Sequence, residues 1–130
     1  MAVTRAATST RTLGRAAEEL AARWLVDRGY RVVARNHATR RGEVDLVCRE
    51  GSTLCFVEVR SRSRRDFGSP AASIDVRKAR RVVAAAMDWA MRHGGLDQEI
   101  RFDVVAVDVT DGTPRIELFR DAFDADGAPV

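Results

Sequence analysis

Residues 41–62, RGEVDLVCREGSTLCFVEVRSR, decide the fold. Two apolar runs, Val44–Cys48 and Leu54–Val59, flank the break Glu50-Gly51-Ser52. Apolar and β-branched residues on both arms, with glycine between, predict a β-hairpin. A two-residue Gly51-Ser52 loop of type II′ needs glycine at its first position. That register sets Asp45 opposite Glu58, Glu43 opposite Arg60 and Cys48 opposite Cys55; a four-residue loop keeps the pairing and a three-residue loop shifts it. Side chains alternate faces along a strand. One face is then Val44, Leu46, Cys48, Cys55, Val57 and Val59, wholly apolar. The other carries Glu43, Asp45, Val47, Phe56, Glu58 and Arg60, its charge gathered at one end. Two readings fit: a cation site that relieves repulsion among the carboxylates, or a cross-strand salt-bridge ladder on a solvated face.

Outward from the hairpin, residues 13–28 predict a helix stopped by Gly29, with Leu13, Ala17, Leu20, Ala21, Trp24 and Leu25 as its apolar stripe. Glu18 borders that stripe and Glu19 points further out. Tyr30–Arg35 predicts a short strand and Asn36–Gly42 a basic loop. After Arg60 the segment SRSRRDFGSP reads as a loop with Arg62, Arg64 and Arg65 beside Phe67 and Gly68. Ser73 is the expected N-cap of a helix from Ile74 to His93, ended by Gly94-Gly95. Its first two turns carry Arg77, Lys78, Arg80 and Arg81. Residues 100–109 are nearly continuously apolar, as a strand covered on both faces should be. Arg115–Arg120 predicts an edge strand. The order α-β-β-β-α-β-β implies a mixed sheet flanked by helices.

At 130 residues the chain suits one domain with a real core. The expected division is a flexible tail over 1–11, a domain over 12–120 and a weakly ordered tail over 121–130. No apolar run reaches membrane-spanning length, and the basic N-terminal stretch lacks the apolar segment of a secretory signal. A cytoplasmic location is expected. A net charge of +3 permits nucleic-acid binding without demanding it. Lys78 is the sole lysine among 22 basic residues. Cys48 and Cys55 fit no zinc pattern and read as buried small hydrophobes. His37 and His93 have no suggested Ser or Cys partner. The phosphate-loop, dinucleotide-binding and serine-hydrolase glycine motifs are absent, so the sequence gives no support to nucleotide hydrolysis, hydride transfer or triad chemistry.

Several pieces in this order resemble one known family: GRAAEELAARWL with Gly14 and Glu18, GYRVVARN, RGEVDLV with Glu43 and Asp45, FVEVRSR with Glu58, FGSP, Lys78 and RFDVVAV. They are similar to the YraN-like family of uncharacterised bacterial proteins, which looks restriction-endonuclease-like, within the PD-(D/E)xK nuclease superfamily and akin to Holliday-junction resolvases. The resemblance spans roughly residues 12–120 and implies an α/β fold of that class.

The resemblance further implies that Asp45 and Glu58 bind Mg²⁺ or Mn²⁺, that Val59 can add its carbonyl, and that Glu18 completes the site or holds a second ion. Arg60 falls where the superfamily has lysine. Arginine keeps its proton at ordinary pH and cannot act as a base, though it can orient a phosphate. Lys78 is the other candidate for that ammonium. Asp103 is a lesser candidate, read instead as a structural partner of Arg101 or of a nearby loop. Arg40, Arg41, Arg62, Arg64, Arg65, Arg77 and Arg81 are the expected nucleic-acid contacts. The implied function is a Mg²⁺-dependent DNA endonuclease acting on branched or structured DNA, for which a two-fold dimer would be apt. The alternatives are a DNA-binding module whose catalysis is lost or partner-dependent, and a structural protein–protein module. No membrane contact or small-molecule cofactor is expected.

Overall fold

The computed structural model describes residues 10–62, 74–109 and 112–130. Helix α1 (Thr10–Asp27) leads into β1 (Arg31–Ala38), β2 (Glu43–Glu50) and β3 (Thr53–Arg62). Helix α2 (Val76–Arg92), β4 (Ile100–Asp108) and β5 (Arg115–Phe123) follow. The strands lie side by side in chain order. All neighbours are antiparallel except β3 and β4, a parallel pair with α2 between them in the chain. This is the expected mixed sheet.

Each helix covers one face. Ala17, Ala21, Ala22 and Leu25 of α1 pack on Leu46, Cys48, Cys55, Val57, Val105 and Val107. Ala79, Val82, Val83, Ala86, Trp89 and Ala90 of α2 pack on Val44, Val47, Leu54, Phe56, Phe102 and Val104. Alanines along both contact stripes keep the helix surfaces small where they meet the sheet. Covered on both sides, β4 is buried from Phe102 to Val107, which accounts for its unbroken apolar run. Helix α1 stops where glycine was expected to stop it: Gly29 takes φ 93° and the Tyr30 N–H closes on the Leu25 carbonyl at 3.0 Å.

The hairpin register is the expected one over Leu46–Val57, Val47–Phe56 and Cys48–Cys55. Gly51 has φ 61°, as the first residue of a type II′ turn requires. Beyond Leu46–Val57 the ladder opens, so Asp45–Glu58 and Glu43–Arg60 are not rungs. Strand β1 turns along with it, running on to Ala38 instead of ending at Arg35. Asn36, opposite Asp45, takes the left-handed conformation at φ 51°. Both strands change faces there. Arg35 meets Glu19 of α1 at 2.7 Å, whereas His37 meets Asp88 of α2 at 2.8 Å. In parallel, Leu46 packs under α1 and Val44 under α2. The expected apolar face uniting Val44 with Leu46 and Cys48 is therefore corrected: the alternation skips a step at Asp45.

Three further boundaries differ. The N-cap of α2 is Asp75, whose carboxylate accepts the Arg77 N–H at 2.7 Å; Ser73 lies outside the described residues, as do residues 1–9. Strand β5 passes Arg120 to the fully buried Phe123. The chain beyond was expected to be weakly ordered, yet Asp124 accepts the Asp126 and Ala128 N–H groups and the Asp126 carbonyl accepts Arg80 Nε. Asp103, wholly buried, accepts from Arg101 Nε at 2.8 Å, Arg101 Nη2 at 2.9 Å and the Asp121 N–H at 2.9 Å. That satisfied charge is structural.

Gly42 fixes how the sheet meets α2. A Cβ there would lie 2.0 Å from the Arg81 carbonyl oxygen, against helix backbone that cannot swing aside. Gly42→Ala is expected to destabilise the fold by about 1–3 kcal/mol, read as a lowered midpoint in urea unfolding.

Candidate functional site

Where the sheet opens, the Asp45 side chain takes over a backbone duty. Its Oδ2 accepts the Val59 N–H at 2.8 Å, across the gap where a β2 carbonyl would otherwise serve. This turns the carboxyl in between β2 and β3, within hydrogen-bond reach of Glu58. Glu58 is only 3% exposed, and Lys78 Nζ reaches down from α2 to its Oε2 at 3.0 Å. On the α1 side, Glu18 lies close enough to the Asn36 amide and the Asp45 carboxyl for both to act on its charge.

The acids therefore act on one another in series, Glu18 on Asp45 and Asp45 on Glu58. Among the described residues no three acids form a ready ligand group for a metal. Their electrostatics nevertheless ask for positive charge. Burial, and then the Glu58 charge, push the Asp45 carboxyl up to about 8, against the opposing pull of the Val59 N–H. Glu18 is also raised, by burial and then by Asp45, while the Asn36 amide acts the other way. Lys78 is the one cation with a direct ion pair to these three carboxylates among the described residues. The donors are all hard oxygens, which suit Mg²⁺ or Mn²⁺ in chemistry and charge.

A cleft of about 480 Å³ opens over this series, lined by Glu43, Asp45, Glu58, Asp75, Arg77, Lys78, Arg81 and Val82. A hollow of about 420 Å³ on the α1 side is lined by Gly14, Arg15, Glu18, Asn36 and Glu43. Glu43 borders both, so the acid series is approached from two directions. Arg60, opposite Ala106 in the parallel ladder, does not line the cleft. Of the two cations considered for the lysine position, Lys78 is the one against the acids. Arg77 and Arg81 join it on the cleft wall, and Arg40 and Arg41 line the next hollow along. Arg64, Arg65 and the side chain of Arg62 lie outside the described residues.

Asn36, Asp75 and the Val59 N–H were not singled out from the sequence as site groups. An Asn at the end of a short apolar run carries a weak local signal, since Asn tolerates the left-handed conformation better than most residues. The other two depend on tertiary placement.

An acid-lined cleft at the parting of two central strands, on a five-stranded mixed sheet held between two helices, defines the restriction-endonuclease-like class. Residues 17–107 match the family described as "Uncharacterised protein family UPF0102". The chain is 62% identical over 117 residues to a UPF0102 protein of Anaeromyxobacter dehalogenans, covering 90% of this chain and 87% of that one. It is 48% identical to a relative in Dechloromonas aromatica, over 91% and 93% of the two chains. For one in Geobacter sulfurreducens the figures are 42%, 86% and 88%. The protein belongs to UPF0102, the YraN-like family. No helix among the described residues is long and apolar enough to cross a membrane.

The raised Asp45 carboxyl has a consequence for stability. Its folded value lies above the unfolded one, about 3.9, so the folded state binds the proton more tightly. The stabilisation is fully present below the unfolded value and is lost as pH rises through about 8. In chelator, the wild type is expected to lose on the order of a few kcal/mol more than Asp45→Asn between pH 5 and 9. Parallel pH profiles from urea unfolding would show that Asp45 carries no such shift.

Proposed function

We propose that the protein is a Mg²⁺-dependent DNA endonuclease that hydrolyses phosphodiesters in branched or structured DNA. The observation that carries this reading is the meeting of Asp45 with the nearly buried Glu58, and of Glu58 with Lys78, at the base of a cleft walled by arginine. Carboxylates confined at this depth are costly for the fold alone.

In this reading Asp45 and Glu58 hold the ion, Val59 adds its carbonyl, and Glu18 completes the site from the α1 side. A bound Mg²⁺ supplies a water of lowered pKa and offsets charge at phosphorus. The Val59 N–H keeps one Asp45 oxygen fixed and leaves the other for ligation. Lys78, paired with Glu58 at rest, swings its flexible ammonium onto a non-bridging phosphate oxygen. Arg77 and Arg81 hold the flanking phosphates from the wall of the cleft. Arg60 contributes from outside the cleft, without acting as a base.

A second reading has a specific observation in its favour. The acids meet in series, with no ready three-acid ligand group among the described residues. A nucleic-acid-binding module whose catalysis is absent or partner-dependent would look this way.

Cleavage separates the two. With duplex, flap and four-way-junction DNA in Mg²⁺ or Mn²⁺, Asp45→Ala and Glu58→Ala are expected to lower the rate at least 100-fold. Lys78→Ala is expected to lower it about 10²–10³-fold, in the range for loss of one group that stabilises transition-state charge. Wild-type cleavage no faster than that of Asp45→Ala rejects the nuclease reading; salt-dependent binding without cleavage supports the second.

A further inference from the structure

Next to the acidic cleft lies a hollow of about 540 Å³, lined by His37, Ala38, Thr39, Arg40, Arg41, Ala84, Asp88 and Arg92. The two concavities share a wall. Gly42 is pressed on the Arg81 carbonyl; the residue before it, Arg41, lines the hollow, and the residue after it, Glu43, lines the cleft. Whatever crosses this wall passes from one to the other.

We propose that this hollow is a second seat for the nucleic-acid backbone, taking phosphates of the strand that runs out of the acidic cleft. It deepens the nucleic-acid reading given above and rests on it.

The charge is one-sided. Asp88 is the only carboxylate in the lining among the described residues, and it is already engaged by His37 Nε2 at 2.8 Å and Arg92 Nε at 3.2 Å. Those contacts lower its pKa, the His37 hydrogen bond most, so it stays ionised and neutralised in place. Arg40 and Arg41 stand opposite, exposed, and their guanidinium groups have no partner among the described residues. Several arginines elsewhere are spent on the fold: Arg23 and Arg35 on Glu19, Arg80 on the Asp126 carbonyl, Arg101 on Asp103, and Arg120 on Glu50. The Arg40-Arg41 pair has no such role.

The pair is also held ready. It sits at the tip of the β1–β2 turn, closed by the Thr39 N–H on the Gly42 carbonyl at 2.8 Å. Thr39 Oγ1 accepts the Arg41 N–H at 3.1 Å. Guanidinium groups offered from a fixed turn suit the forked, two-point recognition of phosphate oxygens. Phosphate contacts position a strand without reading its sequence, so this seat sets register on the cleft and is indifferent to bases.

The test is fluorescence anisotropy of labelled 20-bp duplex and four-way-junction DNA over 50–300 mM salt, in chelator so that no cleavage intervenes. Arg40→Ala/Arg41→Ala is expected to weaken binding about tenfold, with the salt slope shallower by about two. Arg31→Ala/Arg115→Ala removes the same charge elsewhere and is expected to change affinity less than threefold. Asp88→Asn deletes the one opposing carboxylate and is expected to tighten binding severalfold. Equal losses in the two double variants would overturn the seat and leave only a net-charge effect; so would an unchanged salt slope. Wild-type protein that binds neither DNA at 50 mM salt would overturn the underlying nucleic-acid reading along with it.

Discussion

The structure turns on one substitution of roles: the Asp45 carboxylate accepts the Val59 N–H that a neighbouring strand would normally take. A β-ladder can part in its interior only if the orphaned backbone groups find other partners. Here the partner is an acid. The hydrogen bond that lets β2 leave β3 is therefore also what places Asp45 beside Glu58. Sheet geometry and site chemistry have a single cause.

The supporting features follow from that parting. Asn36 makes the matching turn in β1, at φ 51°, and its amide favours the charged form of Glu18. Gly42 lets the released end of β2 lie against the backbone of α2, so Lys78 and Arg81 stand over the acids. Phe56, fully buried beneath α2 and stacked against Phe102, anchors β3 next to Glu58. Each element close to the cleft is braced by packing or by a backbone contact, and the cost of buried carboxylates is spread over that frame.

Much of this was legible in the sequence. Gly51 set the turn and hence the Cys48–Cys55 register, which brings Asp45 and Glu58 to the same level. The alanine-rich stripes gave both helices, and the apolar run of β4 announced a strand covered on both sides. The change of faces at Asp45 was not legible, because a period-two pattern assumes that backbone pairs with backbone, and here a side chain intervenes. The extension of β5 was hidden similarly: Asp121, left-handed at φ 55°, offsets the alternation before the buried Phe123. The family resemblance put Arg60 in the lysine position and left Lys78, the sole lysine, as the alternative; only the packing of α2 puts Lys78 on Glu58.

The proposed nuclease needs the acids around Asp45 to hold a divalent cation. Calorimetric titration of Mn²⁺ into chelator-stripped protein at pH 8 measures it without any guess at the substrate. Saturable binding by the wild type is expected, weakened at least tenfold in Asp45→Ala. Absence of binding at millimolar Mn²⁺, or equal binding by the two proteins, would contradict it.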